Sequence, residues 1–336
     1  MFIARVPLRV SYFGGGTDFP EWFNLNNGLV LSSTINKYCY ILIRELPPFF
    51  PFKYRIRYYN TETVKTIDQI KHPTVKQSLK HFYKKNNGLE IIHFSDLPSL
   101  SGLGASSAFT VGILRILFEI KKKNISNYAL ANNAIFIEKK ILKESCGYQD
   151  QFACAVGGFN EINFKKNKIH IKPISTSNKN KKALEDNTLI FFTGVTRHAD
   201  LIEKEKIKKM KLNKKLYKEL YNTATEAKKI FASNTSTNDF LYEISSLMRE
   251  SWNLKKNLSS KVSNDYIDQI YQYALSNGAA AGKILGAGGG GFMMLLSKSL
   301  EEKKRLISKL SRLKLVNFKF ENSGCKLLKK ILIPKL

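Results

Sequence analysis

Residues 98–107 read Pro-Ser-Leu-Ser-Gly-Leu-Gly-Ala-Ser-Ser and open into an apolar helix through Ala108, Val111, Leu114, Leu117 and Ile120. This run constrains the chain more than any other. The glycines at 102 and 104 admit backbone conformations closed to other residues and let a ligand approach the main chain. A helix that starts there presents unpaired N–H groups and the positive end of its dipole. Together they form an anion site suited to the phosphates of a nucleotide. Ser106 and Ser107 add hydroxyls for phosphate oxygens or a magnesium ion. No Gly-Lys-Ser/Thr is present, so this is not a Walker A loop. Taken alone, the run also suits an ordinary helix start with glycine in the turn, and both readings stay open.

Three further runs bear on that choice. Residues 286–291, Gly-Ala-Gly-Gly-Gly-Gly, satisfy the spacing of a dinucleotide fingerprint. They lead into the strand pattern Phe292–Leu296 near the C-terminus, whereas such a fingerprint follows a first strand and opens a helix. NAD binding is therefore rejected; the loop can instead lay its backbone against a nucleotide or another loop. Asp150 stands in Gly147-Tyr148-Gln149-Asp150-Gln151, just after a helix carrying Glu138. It is either a helix cap or a functional carboxylate. A carboxylate with a hydroxyl such as that of Ser106 can hold magnesium. Arg9 precedes Gly14-Gly15-Gly16-Thr17-Asp18, a loop whose Asp suits sugar hydroxyls, while an Arg pairs with phosphate or carboxylate.

Around these runs the pattern predicts strands at 2–10, 28–45, 53–59, 89–95 and 159–172. Helices are predicted near 73–86 and 127–143. The polar, Asn/Lys-rich stretch 174–187 reads as a boundary, giving an N-terminal domain 1–172 and a C-terminal domain 173–336; at about 150 residues per domain, the length also suggests two. Beyond it come a buried strand at 188–195, a long Lys-rich helix at 201–232 and helices near 237–255, 264–276 and 299–311. A last strand is predicted at 314–320.

The net charge of +28, from 55 Lys and Arg against 27 Asp and Glu, needs an explanation. Nucleic-acid readers cluster Arg among aromatic residues. Here runs such as Lys121-Lys122-Lys123-Asn124 look like a solvated, lysine-biased surface, which still steers polyanions such as ATP. No specific nucleic acid is expected. With 43% hydrophobic residues the chain buries a core, which excludes disorder along its whole length. Four cysteines without metal-ligand spacing suggest reduced thiols and a cytoplasmic protein. No leader pattern and no apolar stretch of about 20 residues is present, so no membrane partner is expected.

The order and spacing of these runs resemble the GHMP kinases, small-molecule kinases that include galactokinase, homoserine kinase and mevalonate kinase. Residues 98–108 are similar to the family's second motif, 285–292 to its third, and 5–18 to its first in sugar-kinase form. The resemblance spans almost the whole chain. It implies an α+β fold of two domains, the first like domain 2 of ribosomal protein S5 and the second ferredoxin-like. It implies ATP and Mg2+, with Asp150 as catalytic base and Arg9 as its basic partner. Nucleotide contacts would come from Ser101, Gly102, Leu103, Gly104, Ala105, Ser106 and Ser107, with Gly288 and Gly289. Ser106 and Glu138 would hold the metal, with a one-residue ambiguity because Ala105 takes the first serine position. Gly15, Gly16, Thr17 and Asp18 would meet the sugar.

Galactokinases carry Gly-Glu-His-Thr-Asp where this chain has Gly14-Gly15-Gly16-Thr17-Asp18, so two side chains that crowd a hexose are missing. The run Phe13–Pro20 is most similar to members that phosphorylate the C1 hydroxyl of D-glycero-D-manno-heptose 7-phosphate toward nucleotide-activated heptose. The alternative is another anomeric kinase, for L-fucose or a galactose-like sugar. A sugar phosphate needs a second anion site. Arg197 is the first candidate, and Lys255 or Lys256, expected on a solvated face, come next. The sequence leaves a monomer and a homodimer equally open.

Overall fold

The computed structural model describes every residue except 86, 100, 101, 196–198 and 331–336. The first sheet is built on two long strands, β1 (Phe2–Phe13) and β2 (Gly28–Leu46), followed by β3 (Tyr54–Arg57), β4 (Thr61–Val64), β5 (Gly88–Ser95), β6 (Phe159–Lys165) and β7 (Lys168–Pro173). Alternation along β1 puts Ala4, Val6, Leu8 and Val10 in the core as expected, but the opposite face is covered too, so Arg9 is also buried. The 19 residues of β2 let it pair with β1, with β5 at one end and with β6 at the other. Helix Ala105–Ile120 lies across β1 and β2. Its Gly112 sits against Ile41 and Val6, where any side chain would clash, so this glycine brings helix and sheet together. Val111, Ile113, Leu114, Ile116 and Leu117 on that helix are fully enclosed. Each contributes roughly 1.5–3 kcal/mol relative to exposure, and together they pin the helix start in place.

The second sheet comprises β8 (Thr188–Phe192), β9 (Ala279–Ile284), β10 (Phe292–Ser297) and β11 (Lys314–Leu315) in the order β11-β8-β10-β9, all antiparallel. Helices fill the β8–β9 connection, and helix Leu300–Lys309 joins β10 to β11. This is the ferredoxin-like arrangement that the resemblance implied. The chain then returns. β12 (Phe320–Glu321) pairs with β2 and β13 (Lys326–Lys330) with β1. The first sheet thus draws strands from both sides of the expected 172/173 division.

Four local readings differ from the sequence pattern. The polar stretch 174–187 contains helix Asn178–Asn187, capped by Ser177 and anchored by buried Leu184. The Lys-rich run forms two helices, Ala199–Lys208 and Lys214–Ala232, because the chain turns at 209–213 and buries Met210. The helix at Asn127–Ile135 continues as a π turn, Phe136–Ile141, instead of a regular helix to 143. β9 is built from Ala and Gly with little strand signature, and burial between neighbours holds it extended.

Candidate active site

A cavity of about 400 Å³ opens where the loop before helix Ala105–Ile120, the loop at 14–18, the start of helix Gln149–Val156 and the glycine run at 285–290 converge. At its centre Arg9 and Asp150 form a two-pronged ion pair, Nε to Oδ1 and Nη2 to Oδ2, both at 2.7 Å. The Arg9 side chain is 4% exposed and that of Asp150 24%, so the carboxylate faces the cavity and the guanidinium lies behind it. Burial works against the Arg9 charge, but the Asp150 carboxylate outweighs it and holds the guanidinium above its usual value. Arg9 also ties this strand to the glycine loop: its Nη1 donates to the Gly102 carbonyl at 2.5 Å and its backbone N–H to the Leu103 carbonyl at 3.0 Å.

Gly104 caps the helix at φ 77° and lines the cavity with Gly102, Ala105, Ser106 and Ser107. Gly102, at φ 87°, lies directly against the Leu285 carbonyl and Gly286. The third glycine run therefore packs on the second, the loop-on-loop option left open by the sequence. Leu103 does not face the cavity; its side chain is in the core. Gly288 lines the cavity, whereas the Gly289 N–H is engaged by the Val262 carbonyl at 2.5 Å. Ser101 and Arg197 lie outside the described residues.

Asp18 is buried at the cavity wall and accepts from the backbone N–H groups of Gly16 at 2.8 Å and Gln149 at 3.2 Å. Burial pushes its carboxyl up; the Gly16 hydrogen bond opposes this, and the nearby Asp150 charge adds to it. Gly15 and Gly16 line the cavity as expected. Thr17 does not: its hydroxyl bridges the Gly14 and Leu29 carbonyls and accepts from the Leu29 N–H, so it shapes the loop from beneath. Two groups not foreseen face the same space. The Ser11 hydroxyl and the Gln149 side-chain carbonyl are buried at the cavity without a hydrogen-bond partner among the described residues. Such orphans suit ligand hydroxyls.

Glu138 sits on the π turn, an element often found at functional positions. Its Oε2 accepts from Ser107 at 2.9 Å and Gln151 at 2.5 Å, while Oε1 is buried without a hydrogen-bond partner among the described residues. Burial raises its carboxyl to about 7, and the Glu144 charge adds to the shift. The hydroxyl on Glu138 belongs to Ser107, whereas Ser106, the serine expected at the metal, is exposed at the cavity. Glu138, Glu144 and Cys146 place their ligand atoms within 4.8 Å of one another. The free oxygen of Glu138 suits a hard cation, whereas burial pushes the Cys146 thiol far up and leaves it a poor ligand for one.

Lys206, Lys255 and Lys283 also line the cavity and are buried. For Lys255 this overturns the solvated-face expectation, while Lys256 is partly exposed and pairs with Asp268. A signal was present in the sequence. Phe240, Ile244, Met248 and Trp252 form an i+4 stripe on helix Thr237–Lys256, and Lys255 continues that face one turn on.

The model described as GHMP kinases N terminal domain matches residues 73–158, and that described as GHMP kinases C terminal matches 238–315. The D-glycero-alpha-D-manno-heptose 7-phosphate kinase of Campylobacter jejuni is 32% identical over 297 residues, covering 85% of this chain and 86% of that protein. The chain belongs to the GHMP kinase family. As a GHMP sugar kinase it uses ATP and a sugar. The bifunctional fucokinase/GDP-fucose pyrophosphorylase of Arabidopsis thaliana is 25% identical over 336 residues, which cover 91% of this chain and 31% of that longer protein. A crystal structure of a D-glycero-D-manno-heptose 1-phosphate kinase from Bacteriodes thetaiotaomicron matches with a TM-score of 0.79 at 22% identity, over 99% of this chain and 100% of that one. That likeness supports the two-domain GHMP kinase fold. No helix among the described residues is long and apolar enough to cross a membrane.

Proposed function

We propose that this GHMP kinase transfers the γ-phosphoryl group of ATP to the C1 hydroxyl of D-glycero-D-manno-heptose 7-phosphate, giving the 1,7-bisphosphate. The observation that carries the reading is the buried Arg9 guanidinium gripping Asp150 at the mouth of the helix start, beside a sugar loop with no side chains at 14–16. The Campylobacter relative, named for this sugar phosphate, supports it.

The chemistry follows from these parts. Phosphoryl transfer depends on positioning and on balancing charge rather than on covalent help from the protein. The N–H groups of Ala105, Ser106 and Ser107 have no intrahelical partner and, with the helix dipole, hold the nucleotide phosphates. Glu138, with a serine hydroxyl, would hold Mg2+, which supplies neutralisation of phosphate charge when bound. Asp150 takes the proton of the attacking hydroxyl, and Arg9 fixes the orientation of both its oxygens. An anomeric hydroxyl is more acidic than an ordinary alcohol, so the demand on the base is modest. Asp18, Ser11 and Gln149 line the cavity and would take the remaining sugar hydroxyls.

The experiment is ADP release against D-glycero-D-manno-heptose 7-phosphate, the unphosphorylated heptose, L-fucose and D-galactose, with 31P NMR of the product. The heptose phosphate should have the highest kcat/KM, and a new anomeric phosphate should appear. Higher kcat/KM for L-fucose, the sugar of the Arabidopsis relative's kinase, would replace this reading with an L-fucose kinase.

A further inference from the structure

We infer that Lys206, Lys255 and Lys283 form one phosphate receptor inside the cavity, the seat of the terminal phosphate of the sugar substrate. This rests on the reading above that the substrate is a sugar phosphate. The three come from separate elements, helix Ala199–Lys208, helix Thr237–Lys256 and β9, yet all line the cavity that holds Arg9 and Asp150. Their residues are only 2%, 6% and 4% exposed, respectively.

Burying an ammonium group costs several kcal/mol unless an anion or good hydrogen bonds offset it. The partners present do so unevenly. Lys206 is paired with Glu203 at 2.6 Å. Lys255 donates only to backbone carbonyls, those of Ile284 at 3.1 Å and Gly286 at 2.6 Å, and Lys283 to the Tyr12 carbonyl at 2.9 Å. Neither has an ion pair among the described residues, and Arg9 is already matched by Asp150. Two buried lysine amines thus line the cavity with no carboxylate against them among the described residues.

Burial first, and neighbouring cations second, disfavour the charged form of both lysines. Burial pushes Lys283 down to about 7, with Arg9 and Lys206 adding to the effect. Lys255 is driven well below its usual value by burial, then by Lys283 and Lys206, with Glu203 opposing. A dianion between them reverses that balance: each ammonium gains a charge-assisted hydrogen bond it lacks in the protein alone. The carbonyl contacts hold the amine nitrogens in place before the phosphate arrives, so little side-chain entropy is lost on binding.

Phosphate reaches this cavity from two sources, the sugar's terminal phosphate and the γ-phosphate of ATP. The start of helix Ala105–Ile120 already serves the nucleotide, which leaves the lysines for the sugar. The test is the preference ratio, kcat/KM for heptose 7-phosphate over kcat/KM for unphosphorylated heptose, in the wild type and in Lys255→Met. Calorimetry of heptose 7-phosphate binding runs alongside. Losing one charged hydrogen bond should lower the ratio about 10- to 100-fold and weaken sugar-phosphate binding in step; because Lys255 also donates to the Gly286 carbonyl, which packs on the Gly102 loop, the unchanged KM for ATP is expected of Lys206→Met. Lys206→Met should shift the ratio the same way, and it serves as the test if Lys255→Met does not fold by circular dichroism.

A rise in KM for ATP with an unchanged ratio would place the γ-phosphate here and overturn the inference. A full ratio in folded lysine variants, with loss in Arg197→Ala, would overturn it in favour of Arg197. A wild type with no preference for the phosphorylated sugar removes the substrate reading itself, an outcome visible before any variant is made.

Discussion

Glu138 gives a prediction whose sign is opposite to that of most point mutations. Its carboxyl is raised from an ordinary 4.5 to about 7, because burial penalises the charge and the Glu144 carboxylate adds to the penalty. That change corresponds to roughly 3 kcal/mol against the ionised form. Between these two pH values the folded protein holds a proton that the unfolded chain has released, so stability falls as pH rises through the window. Glu138→Gln removes the charge while its side-chain carbonyl still accepts from Ser107 and Gln151. The amide nitrogen takes the position of the unpartnered oxygen, which offsets part of the gain. In metal-free buffer at pH 8 the variant should be more stable than wild type by about 1–2 kcal/mol. The difference should shrink as pH falls and reverse by pH 5, while phosphoryl transfer is largely lost. Urea unfolding from pH 5 to 8 in chelator, with ADP release measured separately, checks both. Equal pH slopes for the two proteins, or a less stable variant at pH 8, would refute the reasoning.

Further outcomes follow from the loops. Gly102→Ala puts a methyl group against the Leu285 carbonyl at a φ of 87°, so it should cost about 2–4 kcal/mol and raise KM for ATP, read by urea unfolding and kinetics; unchanged values would mean the two glycine loops need not touch. Thr17→Val breaks three hydrogen bonds beneath the sugar loop. It should lower stability by about 1–3 kcal/mol, with sugar affinity changing only as far as the loop moves. Ser11→Ala removes an orphan hydroxyl at the cavity, so it should leave the melting temperature near wild type and raise KM for the sugar, not for ATP. A lower melting temperature with no effect on sugar KM would make Ser11 structural.

Much of this site was legible because its chemistry depends on backbone geometry, and glycine records that geometry in sequence. Gly102, Gly104 and the run at 286–291 marked the loops that line the cavity, with an anion site as one of two readings, and Arg9, Asp18 and Asp150 stood at motif positions. Side-chain direction was harder to read. Thr17 and Asp18 are neighbours in one motif, yet one supports the loop and the other faces the cavity. Ser106 and Ser107 differ by one step of a helix, about 100°, which decides which hydroxyl reaches Glu138. The π turn was invisible because one altered turn leaves the hydrophobic period nearly intact. The buried lysines were missed because lysine in a Lys-rich chain reads as surface, and only the apolar stripe above Lys255 argued otherwise.

The proposed role of Asp150 as the base is tested most directly by single-turnover phosphoryl transfer in Asp150→Asn at saturating ATP and sugar. The substituted amide keeps the shape of the side chain but cannot take the hydroxyl proton. The rate should fall about 10²–10⁴-fold, the scale of a lost general base, with ATP binding by calorimetry close to wild type and the circular dichroism spectrum unchanged. A folded Asp150→Asn variant that transfers phosphate within a few-fold of the wild-type rate would contradict the assignment of Asp150 as the base.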